Sequence, residues 1–149
     1  MQSRRLAERF EVVDVSEEQL RLARAALPQA SFLHADLREL DFEPASFDAV
    51  TALYSFMHVP RDEHPLLLRR ILRWLKPGGL FLASLSTVGG PDRFEEWLGV
   101  RTFFSGWDAA TNSRLVREAG FECLVDEVVG VRQPHGEITF LWVLARAPS

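Results

Sequence analysis

Three side chains able to accept or hold a proton stand where short apolar runs stop. Asp14 closes Phe10-Glu-Val-Val-Asp14, Asp36 closes Ser31-Phe-Leu-His-Ala-Asp36, and His58 follows Tyr54-Ser-Phe-Met57. If those runs are strands of an open α/β sheet, all three lie at carboxyl ends, where ligands of such sheets sit. A carboxylate at Asp14 can accept two charge-assisted hydrogen bonds from a ribose diol, or it can stabilise the amino end of the following helix. Asp36 can accept from an adenine amino group, or it can open a turn. His58 can serve as a base, cap the next helix or pack. Phe103, Phe104 and Trp107 can cover an acceptor or belong to the core. Asp62, Glu63 and His64 read as a solvated helix start with no metal implied, and Trp74 and Trp97 read as packing residues.

The elements that would position these groups follow from periodicity. Residues 2–9 read as the end of a helix, and Phe10 to Val15 as a strand. Ser16-Glu-Glu-Gln19 is a capping box, and the apolar spacing Leu20, Ala23, Leu27 continues to Pro28. Ala30 to Ala35 is the next strand, and residues 37–46 form a polar connection. Phe47 to Phe56 is a third strand whose Ala49-Val-Thr-Ala-Leu53 run suits burial in a parallel sheet. A helix is expected over Asp62 to Leu75, ended by Lys76-Pro-Gly-Gly79, with a fourth strand over Leu80 to Ser86. Within 87–107 a short helical piece is expected around Phe94 to Leu98. A helix then starts at Asp108 or Thr111 and stops at Gly120. Strands 121–131 and 137–146, joined by Gln133-Pro-His-Gly136, read as a hairpin. This alternation predicts a single α/β domain with a mostly parallel sheet, helices on both faces and an antiparallel strand at the edge.

The totals narrow the function. With 17 Lys+Arg against 21 Asp+Glu, the net charge is −4. Its basic residues are interspersed with carboxylates, which argues against a nucleic-acid partner. No apolar run is long enough to span a bilayer. One cysteine, Cys123, allows no intrachain disulfide and fits a reducing, cytoplasmic setting.

Taken together, the motifs are more specific than their parts. Val-Val-Asp14-Val-Ser-Glu-Glu-Gln-Leu resembles the second strand and following helix of class I (Rossmann-like) S-adenosylmethionine-dependent methyltransferases. Ala-Asp36-Leu resembles their third-strand motif, and Phe-Asp48-Ala-Val-Thr-Ala their fourth strand. Leu-Lys76-Pro-Gly-Gly-Leu-Phe-Leu is similar to the approach to the fifth, and Ala119-Gly-Phe-Glu with the hairpin to the end of the fold. The resemblance implies S-adenosylmethionine or S-adenosylhomocysteine as cofactor. Asp14, with Val15 beside it, would meet the ribose; Asp36 the adenine amino group, with Leu37 beside the ring; and Leu53, Tyr54 and Ser55 the methionine portion. Tyr54, His58, Phe104 and Trp107 would face the acceptor. Tyr54-Ser-Phe-Met stands where nucleic-acid amino methylases carry Asn/Asp-Pro-Pro-Tyr/Phe. With the acidic balance, that points to a small-molecule acceptor.

One departure stands out. The family opens with a strand and a glycine-rich loop, whereas the first glycine here is Gly78. The family's first strand is therefore expected to be missing and cofactor binding weakened, with Met1 falling inside the helix after that loop. Three readings follow: the natural chain is longer, a second copy supplies the strand by exchange in a homo-oligomer, or strands 10–15 and 47–56 pair directly. The functional alternatives are a catalytically inactive binding or dimerising module and a nicotinamide-dependent oxidoreductase. The latter would use Asp14 equally well, but it also needs the glycine-rich turn and does not account for Lys-Pro-Gly-Gly.

Overall fold

A computed structural model describes residues 10–134 and 136–149, so the helix end expected over residues 2–9 lies outside them. The chain divides into two compact units, Met1–Asp41 and Phe42–Ser149.

In the first unit, β1 (Glu11–Asp14) leads through α1 (Glu17–Ala26) to β2 (Ser31–His34). The two strands pair in parallel, Glu11 opposite Ser31 and Asp14 opposite His34. The expected cap forms: Ser16 Oγ accepts from the Gln19 amide at 3.3 Å. It satisfies one of the donors that a helix start leaves without partners. Leu20 is fully buried.

The second unit begins with β3 (Phe47–Leu53) and two single 3₁₀ turns, Phe56–His58 and Arg61–Glu63. Then come α2 (His64–Trp74), β4 (Leu75–Ser86), β5 (Gly90–Trp97), β6 (Val100–Gly106), α3 (Ala109–Glu118), β7 (Glu122–Gln133) and β8 (Gly136–Arg146). One sheet has the order β3-β4-β8-β7, and β5-β6 form another. β3 and β4 are parallel, while β8 runs against both of its neighbours. β8 thus lies inside the sheet and β7 takes the edge, which corrects the expected edge position of the antiparallel strand.

The core explains the order of elements. Leu67, Leu68, Ile71 and Trp74 of α2 are buried along one stripe, as the helical repeat requires. On β4 and β8, Phe81 faces Ala145, Ala83 faces Val143 and Leu85 faces Leu141, and all six are buried. Each large side chain in this layer contributes roughly 1.5–3 kcal/mol by leaving water, an upper figure because unfolded chains are already partly compact.

The helical piece expected around Phe94 is instead strand β5. Phe94 and Trp97 look helical at a spacing of three, but on a strand they point to opposite faces. Phe94 meets Phe103 at 5.4 Å and Trp97 meets Phe104 at 6.2 Å. Leu98 (φ 50°) and Gly99 (φ 79°) make the two-residue turn, with the left-handed backbone that tight hairpins favour. Trp97 is 46% exposed, so it is not the packing residue expected. No helix among the described residues is long and apolar enough to cross a membrane.

Candidate functional site

The residues singled out from sequence fall into a group in each unit. In the first unit, Asp14 ends β1 and its Oδ1 accepts from the Ser16 amide at 2.7 Å. Among the described residues its Oδ2 has no hydrogen-bond partner, so the carboxylate caps the turn and keeps an oxygen for another donor. Val15 is 69% exposed, and its carbonyl accepts from His34 Nε2 at 2.9 Å. Asp36 is clasped by Arg38: Nε lies 3.1 and 3.0 Å from its two oxygens, and Nη2 lies 2.7 Å from Oδ2. The guanidinium holds the Asp36 carboxyl below its ordinary pKa. Leu37, half-buried, opens the 3₁₀ turn Leu37–Glu39.

In the second unit, β3 delivers Leu53, Tyr54 and Ser55 to its carboxyl end. Tyr54 has φ 55°, an uncommon backbone state that tends to mark functional positions. Its amide donates to Ser84 Oγ at 2.8 Å, and its ring stands edge-on to Phe140 at 4.9 Å. Ser55 Oγ donates to the Leu53 carbonyl at 3.0 Å.

His58 Nδ1 lies 2.9 Å from the Phe103 carbonyl. A carbonyl can only accept, so Nδ1 carries the hydrogen and the neutral ring keeps its lone pair on Nε2. The His58 ring touches Phe104 at 5.3 Å, so the structure brings these two candidate residues together. Trp107 is committed elsewhere: its Nε1 donates to the Arg61 carbonyl at 3.1 Å, and the Arg61 guanidinium lies 4.4 Å above its ring.

A cavity of about 260 Å³ opens beside this cluster. Met57, Phe104, Ile138 and Phe140 supply apolar wall, and Arg93 and Glu137 reach it as charged groups. Neither charged residue stood out in the sequence. Its one trace was Gly130, which interrupts a β-branched run.

His64 is buried rather than solvated, a further correction. Its Nε2 lies 3.0 Å from both the Phe56 and Val59 carbonyls, so Nε2 carries the hydrogen. Nδ1 is buried with no partner. Burial, only partly offset by those carbonyls, pushes its pKa below the ordinary histidine value. Below pH ~6.5 the unfolded chain takes up a proton that the folded chain refuses. The stability His64 supports is therefore complete above that pH and is lost as pH falls toward the lowered folded value. Urea titrations at pH 7 and pH 5 are expected to show this loss at up to about 1.4 kcal/mol per pH unit. The dependence should be shallower in His64→Gln, which can still donate to both carbonyls. Equal slopes in the two proteins would contradict the assignment.

The family description "methyltransferase domain" matches residues 1–79. Trans-aconitate 2-methyltransferase of Azoarcus sp. (strain BH72) is 44% identical over 74 residues, 49% of this chain and 28% of that enzyme. An O-methyltransferase of Aspergillus nomiae is 31% identical over 137 residues, 83% of this chain and 58% of its own. The crystal structure of Burkholderia thailandensis 1,6-didemethyltoxoflavin-N1-methyltransferase contains 1,6-didemethyltoxoflavin and S-adenosylhomocysteine. It is similar at TM-score 0.70 and 25% identity, over 93% of this chain and 61% of that one. This chain thus spans less than two thirds of each of these three proteins.

Proposed function

The chain belongs to the methyltransferase domain family and has its Rossmann-like α/β fold, and from that premise we propose that it serves S-adenosylmethionine-dependent methyl transfer to a small-molecule acceptor. The observation that carries this reading is Asp14: a carboxylate at the end of β1, inside the matched stretch, with Oδ2 still open to a donor.

When bound, the cofactor supplies an activated sulfonium methyl group, and the protein's part is binding and orientation. Asp14 would hold the ribose hydroxyls, with Val15 beside them. Leu37 would lie along the adenine, and Leu53, Tyr54 and Ser55 along the methionine portion. Asp36 fits its expected role less well, because Arg38 already occupies both of its oxygens. His58, steered by the Phe103 carbonyl, would take the acceptor's proton at Nε2. Tyr54 and Phe104 would bound the acceptor; Trp107, tied to Arg61, would serve behind them. A small acceptor is supported by the acidic net charge of −4, by the size of the cavity, and by the small molecule bound in the Burkholderia enzyme. The single cysteine supports a cytoplasmic setting.

Calorimetric titration with S-adenosylhomocysteine tests this reading. Saturable binding is expected, weakened at least tenfold by Asp14→Ala. Hydrogen bonds to a charged group contribute about 1.5–3 kcal/mol each, and a factor of ten needs about 1.4. The Arg38 clasp on Asp36 favours a second reading, a catalytically inactive methyltransferase-like module. A folded chain that takes up no S-adenosylhomocysteine would select that module and sink the first reading.

A further inference from the structure

The polar groups of the cavity beside Phe104 divide into those already committed and those left open. Ser86 Oγ donates to the Val88 carbonyl at 3.0 Å and accepts from the Val88 amide at 3.2 Å. Ser105 Oγ donates to Asp92 at 2.6 Å and accepts from the Arg61 amide at 2.8 Å. Thr139 Oγ1 shares a hydrogen with Thr87 Oγ1 at 2.6 Å. The hydroxyls therefore hold the wall together.

Two groups remain. Arg93 engages Glu95 through Nε and lies 5.9 Å from the Phe104 ring centre. Among the described residues Nη1 and Nη2 of Arg93 meet no acceptor, and the Glu137 carboxylate meets no donor. The two line the same cavity without pairing to each other.

The place of Glu137 is prepared by the strand beside it. Gly130 sits inside β7 without a left-handed backbone, so its own conformation does not call for glycine. A Cβ there would stand 1.7 Å from Glu137 Oε1 and 2.8 Å from Cδ. A strand-interior glycine weakens the strand and often marks close approach of another group. Here that group is the carboxylate of Glu137, a residue that lines the cavity.

We propose that this cavity takes a small acceptor with an apolar body and both an anionic and an ammonium group, an amino-acid-like zwitterion whose anion meets Arg93 and whose ammonium meets Glu137. Calling that ligand an acceptor rests on the methyl-transfer reading; the recognition itself does not. Guanidinium and carboxylate form the strong, charge-assisted kind of hydrogen bond. An apolar body fits walls made of Met57, Phe104, Ile138 and Phe140.

The test uses three probes that share one body: L-phenylalanine, 3-phenylpropanoate and 2-phenylethylammonium. Their binding to the whole chain is followed by NMR, with and without S-adenosylhomocysteine. Phenylalanine is expected to bind saturably, at least fivefold tighter than either singly charged probe. Arg93→Gln should erase its advantage over 2-phenylethylammonium. Glu137→Gln should erase its advantage over 3-phenylpropanoate. Gly130→Ala, which displaces the carboxylate without changing any charge, should do the same. Equal binding of the three probes, no phenylalanine binding by the folded chain, or variants that keep the preference would each overturn the proposal. Because the probes are read without cofactor as well as with it, failure here is distinct from failure to bind S-adenosylhomocysteine.

Discussion

Phe81→Ala is expected to cost about 3–5 kcal/mol, the range for removing a large buried aromatic side chain. Phe81 is fully buried. It stacks on Phe121 at 5.3 Å, lies 6.4 Å from Phe56, and stands between Val50 of β3 and Ala145 of β8. Domains are stable by only about 5–15 kcal/mol in total, so this one truncation removes a large share. It also loosens the strand pair that presents Tyr54, whose amide is held by Ser84 of β4. Urea unfolding with a two-state fit checks the figure, and Phe81→Leu should cost clearly less because most of the apolar area stays. A loss under about 1 kcal/mol in the alanine variant would mean that this layer is not the centre of the core.

The second large effect concerns the Lys-Pro-Gly-Gly stretch. Its two glycines are required for different reasons. Gly78 has φ 74° with open space around it, whereas a Cβ on Gly79 would stand 2.9 Å from the Lys76 carbonyl and 3.1 Å from that of Asp48. Backbone atoms cannot swing aside as a side chain can. Gly79→Ala is therefore expected to cost about 1–3 kcal/mol or somewhat more, as overpacking does. Gly78→Asn should be nearly neutral, since asparagine tolerates the left-handed region, while Gly79→Asn should be at least as harmful as the alanine change. Thermal melts of the three variants check this. Equal losses at the two positions would refute the division of roles. The Lys76–Asp48 ion pair at 2.9 Å joins the same two motifs, but as an exposed pair it contributes at most ~1 kcal/mol.

Much of the fold was legible because its signals are local. Ser16 caps α1 as its spacing predicts, and the alternation of β1, α1 and β2 follows from one apolar run, one helical stripe and another run. The Lys-Pro-Gly-Gly stretch points to the family from the sequence alone, since both of its glycines answer to backbone sterics. Trp97 misled for the same local reason: a spacing of three suits a helix, and only the partner strand shows that Phe94 and Trp97 face opposite ways. His64 misled because it sits among charged neighbours in the chain, while its burial depends on Phe56 and Val59 folding over it.

The candidate site divides along the same line. Asp14, Asp36 and His58 stood out because a polar residue ending an apolar run is visible in one dimension. That Asp36 is taken up by Arg38, two residues on, needed side-chain geometry. That His58 is turned by the Phe103 carbonyl, 45 residues away, needed the hairpin of β5 and β6.

By itself the sequence determined the alternation of strands and helices outside residues 87–107, the family, and the acidic residues that close apolar runs, because periodicity, capping and glycine sterics act over a few neighbouring residues. Only the tertiary structure decided that β8 lies inside its sheet and that Arg93 and Glu137 share one cavity with Gly130 making room. Those facts are contacts between distant segments, and no local pattern encodes which distant residue arrives.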